Sequence, residues 1–404
     1  MSLKKNIINH FMTQVVGYLS PLLLFPFLSS RLGTESLGLY IFSLSVITLS
    51  NIITNFGFDI SVSKDIAEGN NNREKLSYYF TLTTVSKSLL CLISCAVIYT
   101  GVSLTHYYTN KYVLINILII ITFNSFSINW LFQGLEKLYI YSRITILTKL
   151  ALLILTFIFI KNKDDELYLY IISSIQAVMS WLISYYWIIK YKLSFKKIKI
   201  REVYNILAES SQFFLARASV SLYSVLGSFF LGIFSGSLYQ VAIYGVAQQL
   251  YKAGVYAISA ISTPLTPYMA RTKNYNIFFK VTFFSILLTI LGAVVGFIFG
   301  SDIIRLIFGS NLIGAKPVLD IFMVTIVISI IGIHFGYPAL IPLGKSNVAN
   351  YSVIASGLLQ LSIIALLYLT HYNVTAVTIA VSYLLCDLLM TAIRLISFYK
   401  NYSQ

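Results

Sequence analysis

Runs free of Asp, Glu, Lys and Arg, each long enough to cross a bilayer as a helix, recur along almost the whole chain. Breaking them at clusters of Gly, Pro, Ser and Asn predicts twelve helices. In the first half they cover residues 11–28, 37–58, 78–100, 112–133, 144–160 and 167–189. In the second half they cover 213–234, 241–263, 277–299, 318–336, 350–370 and 374–397. Two uncharged stretches, 218–251 and 346–386, are too long for one helix each and divide at 235–240 and 370–373. A closed barrel would show strands of about ten residues with polar alternation, and that pattern is missing. The predicted class is therefore all-α and polytopic.

Composition agrees with the pattern. Hydrophobic residues make up 57% of the 404 and charged residues 11%, with a mean hydropathy of +0.80. Soluble domains carry about a quarter charged residues, and disordered chains combine low hydropathy with high charge, so both classes are excluded. The net charge of +15 raises the question of nucleic acid, but no polar stretch is large enough to build a binding module. It reads instead as topology. With the N-terminus inside, 19 of the 29 Lys and Arg fall in cytoplasmic segments, 6 in external loops and 4 in helices, as the positive-inside rule demands. Both termini are then cytoplasmic. The largest contribution is Lys190, Lys192, Lys196, Lys197, Lys199 and Arg201, which serves as a topology anchor or as a lipid-headgroup site.

Little else points to chemistry. Lys4 and Lys5 precede an apolar run as in a signal peptide, but Pro21 and Pro26 occupy the place of a cleavage site, so the run reads as the first membrane helix. Cys91, Cys95 and Cys386 lie in apolar runs and indicate no disulfide framework. His10, His106, His334 and His371 lack metal-ligand spacing, and Asp164, Asp165 and Glu166 flanked by lysines read as a solvated loop. No phosphate-binding loop for ATP occurs. The expectation is a protein with no metal, no cofactor and no enzymatic activity.

Six helices, a basic linker and six more suggest a duplicated transporter, with lobes at 1–190 and 212–404 joined by a cytoplasmic linker at 191–211. A faint internal echo supports this. Ser36-Leu37-Gly38-Leu39-Tyr40 and Gln240-Val241-Ala242-Ile243-Tyr244 both run polar, aliphatic, small, aliphatic, Tyr, each at the start of the second helix of its half.

Three segments carry a family resemblance. Arg31-Leu32-Gly33-Thr34-Glu35-Ser36-Leu37-Gly38-Leu39-Tyr40, then Asn55-Phe56-Gly57-Phe58-Asp59-Ile60-Ser61 leading to Lys64-Asp65-Ile66-Ala67, and above all Asn129-Trp130-Leu131-Phe132-Gln133-Gly134-Leu135-Glu136-Lys137 stand at matching places. With them the chain resembles the Wzx-type O-antigen flippases of the multidrug/oligosaccharidyl-lipid/polysaccharide exporter superfamily. Ile243-Tyr244-Gly245 to Leu250-Tyr251-Lys252-Ala253 adds a weaker match. The resemblance implies two lobes around a central cavity, in a bacterial inner membrane. It also implies transfer of an undecaprenyl-diphosphate-linked oligosaccharide from the cytoplasmic to the periplasmic leaflet by alternating access. A polysaccharide polymerase and a chain-length regulator are the partners such a protein would have.

Five ionisable residues are candidates for a charge in the bilayer interior: Lys87, Lys149, Arg217, Lys252 and Asp387. Facing lipid, they would cost on the order of 12 to 17 kcal/mol together, so the central ones must be solvated or paired. Four are cations, which suits a diphosphate headgroup bound by Arg in two bonds and by Lys as a point charge. Arg217 and Lys149 could instead snorkel, and Lys252 could pair with Asp387. Lys87 has no such rescue, although the resemblance puts its helix on a lobe's outer side. Asp387 is the best-placed carboxylate for proton or sodium coupling. Asp59 is a second candidate, and it and Asp320 also read as helix-boundary residues. Pro21 and Pro26 remove backbone donors and should bend the first helix, as a gate or as a static kink. Two other functions stay open: a drug/cation antiporter of the same superfamily, which should carry more intramembrane carboxylates, and a membrane glycosyltransferase or O-antigen polymerase, which should carry a long periplasmic loop.

Overall fold

A computed structural model describes residues 3–68, 72–103 and 111–402, without the side chains of 3–11, 102–103, 216–217, 222 and 260–261. The described residues are predominantly helical and contain no strand. The helices are α1 (Leu3–Leu32), α2 (Thr34–Asn55), α3 (Phe58–Ala67), α4 (Arg73–Ser103), α5 (Lys111–Ser125), α6 (Asn129–Gly134), α7 (Leu138–Phe159), α8 (Glu166–Lys190) and α9 (Ile200–Ser224). They continue as α10 (Gly227–Phe234), α11 (Leu238–Ser262), α12 (Leu265–Thr272), α13 (Tyr275–Phe308), α14 (Lys316–His334), α15 (Tyr337–Leu340), α16 (Ser346–Leu369) and α17 (Ala376–Tyr402).

Ten helical runs among the described residues are long and apolar enough to cross a membrane, beginning with Met12–Leu32 and ending with Ala376–Tyr402. The other two expected crossings coincide with α9–α10 and α11. In α11, Gln248, Gln249 and Lys252 dilute the apolar run.

The chain divides into two compact units: Met1–Phe27 with Ser43–Arg217, and Leu28–Phe42 with Ala218–Gln404. Helices α1, α2 and α9 therefore each contribute to both. In the first unit α8 packs on α5 and α7, and α3 on α6. Its core gathers Phe58, Val62 and Ile66 of α3, Trp130, Leu131 and Phe132 of α6, and Val203 and Ile206 of α9. In the second unit α14 packs on α11, α13 and α17, and α16 packs on α17. Phe278, Phe335 and Phe398 form its aromatic centre. Lipid tails are as apolar as these side chains, so close packing rather than escape from water holds such elements together.

Two glycines explain the motifs. Gly57 separates α2 from α3 with φ 83, a left-handed conformation that costs other residues roughly 1–2 kcal/mol. A Cβ there would also lie 2.7 Å from Cβ of Phe213 and 2.9 Å from the carbonyl oxygen of Ser210. This close approach seats Phe56 on Phe214 with ring centroids 4.5 Å apart and brings the Ser61 and Ser210 hydroxyls to 2.7 Å. In the second unit, a Cβ on Gly38 would run into the carbonyl of Leu238. The starts of α2 and α11 thus touch, and Leu37 and Tyr244 of the two echoing segments are fully buried.

Candidate functional site

The first unit buries one lysine completely. Lys87, on α4, is 2% exposed, and its Nζ donates to the carbonyl of Ser127 at 2.9 Å and to Oδ1 of Asn55 at 3.3 Å. Both acceptors lie at helix breaks. Ser127 lies in the non-helical link between α5 and α6, so its carbonyl has no helical donor, and Asn55 is the last residue of α2. Asp59 is buried one turn further on, in the first turn of α3. Sequence reading left Lys87 without a rescue; the structure supplies one from backbone it could not foresee. Lys149, on α7, is half-buried, with Nζ 3.5 Å from where a Cβ on Gly17 would stand. That ammonium rests against α1. Pro21 and Pro26 both lie inside α1, which stays helical through them.

The second unit holds a longer polar path. Asp387, on α17, is 2% exposed and accepts a hydrogen bond from the Ser329 hydroxyl of α14. Ser329 Oγ lies 2.8 Å from the hydroxyl of Tyr251 on α11, which is 3.2 Å from that of Tyr383. Tyr383 stands one turn before Asp387, so the path returns to α17. An ionised carboxylate out of water is costly unless it is paired or hydrogen-bonded, and here the Ser329 hydroxyl supplies the hydrogen bond.

Lys252 does not reach Asp387. Its ammonium donates to Oε1 of Gln248 at 3.0 Å, and Gln248 Nε2 donates in turn to the Tyr244 hydroxyl and the Ser224 carbonyl, each at 3.3 Å. Residues 244, 248 and 252 recur at helical spacing and make a polar stripe along one face of α11. The lysine–aspartate pair considered from sequence is thus replaced by a lysine–amide pair. Arg217 lies in α9, but its side chain is outside the described residues.

Arg394 goes unremarked in a sequence reading, where it passes for one more inner-side cation near the end of the last helix. It is 7% exposed. Its Nε donates to Ser352 Oγ at 2.9 Å, Nη1 to the Gly332 carbonyl at 2.7 Å and Nη2 to the Ala349 carbonyl at 3.3 Å. Asp387 and Arg394 are seven residues apart, on the same face of α17, and make no ion pair with each other. That spacing was the available signal. Beside them His334 is fully buried, 3.1 Å from Ser262 Oγ through Nε2 and 2.8 Å from the Ile330 carbonyl through Nδ1. No group of three His, Cys, Asp or Glu suited to a metal occurs among the described residues.

Residues 3–273 match the polysaccharide biosynthesis protein family. The chain belongs to this family. Two curated relatives are both named "Putative O-antigen transporter". That of Shigella dysenteriae is 26% identical over 364 residues, 89% of this chain and 91% of its own length. That of Escherichia coli (strain K12) is 27% identical over 283 residues, 68% of this chain and 67% of its own. Among solved structures, the lipid II flippase MurJ in an inward closed conformation superposes with a TM-score of 0.75 at 15% identity, over 97% of this chain and 87% of that one. An inward-facing multidrug resistance MATE transporter of the MOP superfamily gives 0.70 at 15%, over 97% and 94%. These structures share the fold. The flippase-type resemblance read from the loop motifs is met by the family match and both relatives. The chain is a multi-pass protein of the bacterial inner membrane.

Proposed function

We propose that the protein flips an undecaprenyl-diphosphate-linked oligosaccharide, an O-antigen repeat unit, from the cytoplasmic to the periplasmic leaflet by alternating access coupled to an ion gradient. The coarser statement rests on family and fold: it is a polysaccharide-linked flippase of the exporter superfamily and a transporter, not an enzyme. The observation that carries the finer one is the set of intramembrane cations, Lys87, Lys149 and Lys252, none of which makes an ion pair within 4 Å among the described residues. Such ammonium groups keep their attraction for an added anion, and a diphosphate supplies one. Arg217 joins them as the residue able to grip a phosphate in two bonds.

Asp387 is the coupling carboxylate in this reading. Proton or sodium binding would neutralise a buried charge to which Ser329 donates a hydrogen bond, and release would restore it. Asp59 is the second coupling candidate, four residues after the Asn55 that holds Lys87. Pro21 and Pro26 give α1 a place to bend, because each removes a backbone donor. A cationic drug as cargo fits less well, since the intramembrane groups named here are mostly basic. A polysaccharide polymerase and a chain-length regulator would act on the product.

The test is a chromosomal deletion followed by leaflet assignment of the lipid-linked repeat unit. Repeat units should accumulate on the cytoplasmic side, and Lys87→Ala, Arg217→Ala and Lys252→Ala should fail to rescue. Full surface polysaccharide in the deletion strain rejects the proposal.

A further inference from the structure

The segment between α8 and α9 is a non-helical strap, residues 191–199, bound to the first unit by its backbone. The amide of Ser194 donates to Ser77 Oγ at 3.3 Å and that of Lys196 to Thr81 Oγ1 at 2.9 Å. Arg73 Nε donates to the Lys192 carbonyl at 2.7 Å. Leu193 and Ile198 turn inward onto the core. The cations turn outward: Lys190, Lys192, Lys196, Lys197, Lys199 and Arg201 are all exposed.

Nearby carboxylates leave this charge largely free. Glu74 stands 3.9 Å from Lys196 with both side chains well exposed, and such surface pairs contribute little. Glu202 is occupied, accepting from the Lys199 amide at 2.6 Å and the Tyr78 hydroxyl at 3.0 Å. Lys190, Lys192, Lys197, Lys199 and Arg201 have no ion pair among the described residues.

A topology anchor needs charge alone, yet apolar side chains stand exposed among these cations. Phe195 is 67% exposed, Ile200 81% and Tyr204 71%. The strap also begins where a membrane-length helix ends, at Lys190, whose ammonium lies 4.4 Å from the Trp187 ring. Tyr186 and Tyr191 flank that ring, the composition of an interfacial belt. Basic groups with interleaved apolar ones at this depth meet both requirements of stable attachment to an anionic bilayer.

We infer that the strap and the first turn of α9 form a binding site for anionic phospholipid headgroups of the surrounding bilayer. Lys192, Lys197, Lys199 and Arg201 receive the phosphates, and Phe195, Ile200 and Tyr204 enter the acyl boundary. The site is separate from the intramembrane charges and does not depend on the cargo assigned above.

Native mass spectrometry of the full chain in detergent, titrated with phosphatidylglycerol or phosphatidylcholine, tests this. Each cation near an anionic surface is worth about fivefold. Wild type should therefore retain phosphatidylglycerol at least about tenfold better. Combined Lys192→Gln, Lys197→Gln, Lys199→Gln and Arg201→Gln should abolish the preference, with helical content by circular dichroism unchanged. Combined Phe195→Ser, Ile200→Ser and Tyr204→Ser should lower retention of both lipids and keep the preference. Millimolar inorganic phosphate should not displace the lipid, because it offers no acyl chain. Equal retention of the two lipids by wild type, a preference that survives the fourfold change, or displacement by phosphate would each overturn the inference.

Discussion

Replacing Gly57 by alanine isolates the contact that joins α3 to α9. Two costs combine. The backbone at φ 83 penalises any Cβ by roughly 1–2 kcal/mol. The added methyl then meets Phe213 Cβ at 2.7 Å and the Ser210 carbonyl at 2.9 Å, an overpacking cost of roughly 1–3 kcal/mol. Neither neighbour is the far end of a flexible side chain, so relief requires moving α9. Gly236 supplies the control: its φ is 64, but nothing lies within 4 Å of the added Cβ, so only the backbone cost applies. Gly57→Ala should cost about 2–5 kcal/mol against about 1–2 for Gly236→Ala. At roughly 2 °C per kcal/mol for a chain of this size, the apparent melting temperatures fall by about 4–10 °C and about 2–4 °C. Heating in detergent followed by size-exclusion chromatography reads both. All three tryptophans lie in the same unit as Gly57, so their fluorescence gives a second readout for that variant. Equal losses for the two alanines would refute the close approach.

Asp387→Asn should abolish gradient-driven transport in vesicles and leave the fold intact; Ser329→Ala, which removes a charge-assisted bond worth roughly 1.5–3 kcal/mol, should weaken it at least about tenfold. Coupled transport by Asp387→Asn at the wild-type rate removes the carboxylate from the mechanism. Arg394→Met strands the acceptors on Ser352, Gly332 and Ala349 at a cost of roughly 1–3 kcal/mol, and Arg394→Lys should not restore it because an ammonium cannot span the three; the apparent melting temperature checks both. The Lys199 backbone amide and then the Tyr78 hydroxyl hold Glu202 below its usual carboxylate range. A depressed carboxylate stabilises above its unfolded pKa, and that contribution disappears as pH falls through the folded value. Hydrogen exchange at the strap amides, corrected for intrinsic rate, should therefore accelerate in wild type as pH falls below the usual carboxylate range, and Glu202→Gln should show the faster rate with no such step.

Helix number and class were largely legible, because a charge-free run of membrane length has few other solutions. Ten such runs appear where the sequence places them. The less apolar α11 marks where that signal thins, and it carries Gln248, Tyr251 and Lys252 of the polar interior. Partners were not legible. Lys87 is held by the carbonyl of Ser127, and a free carbonyl exists there only because a helix breaks. The hydroxyl path to Asp387 draws on α11, α14 and α17, which no single-helix pattern brings together. Arg394 was hidden by its position near a helix end, where a cation normally reaches the interface.

The assignment of Leu28–Phe42 to a unit otherwise built from residues after 217 bears on biosynthesis. Leu37 and Phe42 are fully buried within that unit, Phe42 against Gly232. During translation this early piece therefore waits unpartnered in the bilayer until α10 and α11 emerge, and the second unit closes last. A chain started after residue 199 would lack it and expose the empty seat, whereas two co-expressed fragments divided within the strap would still contain every piece.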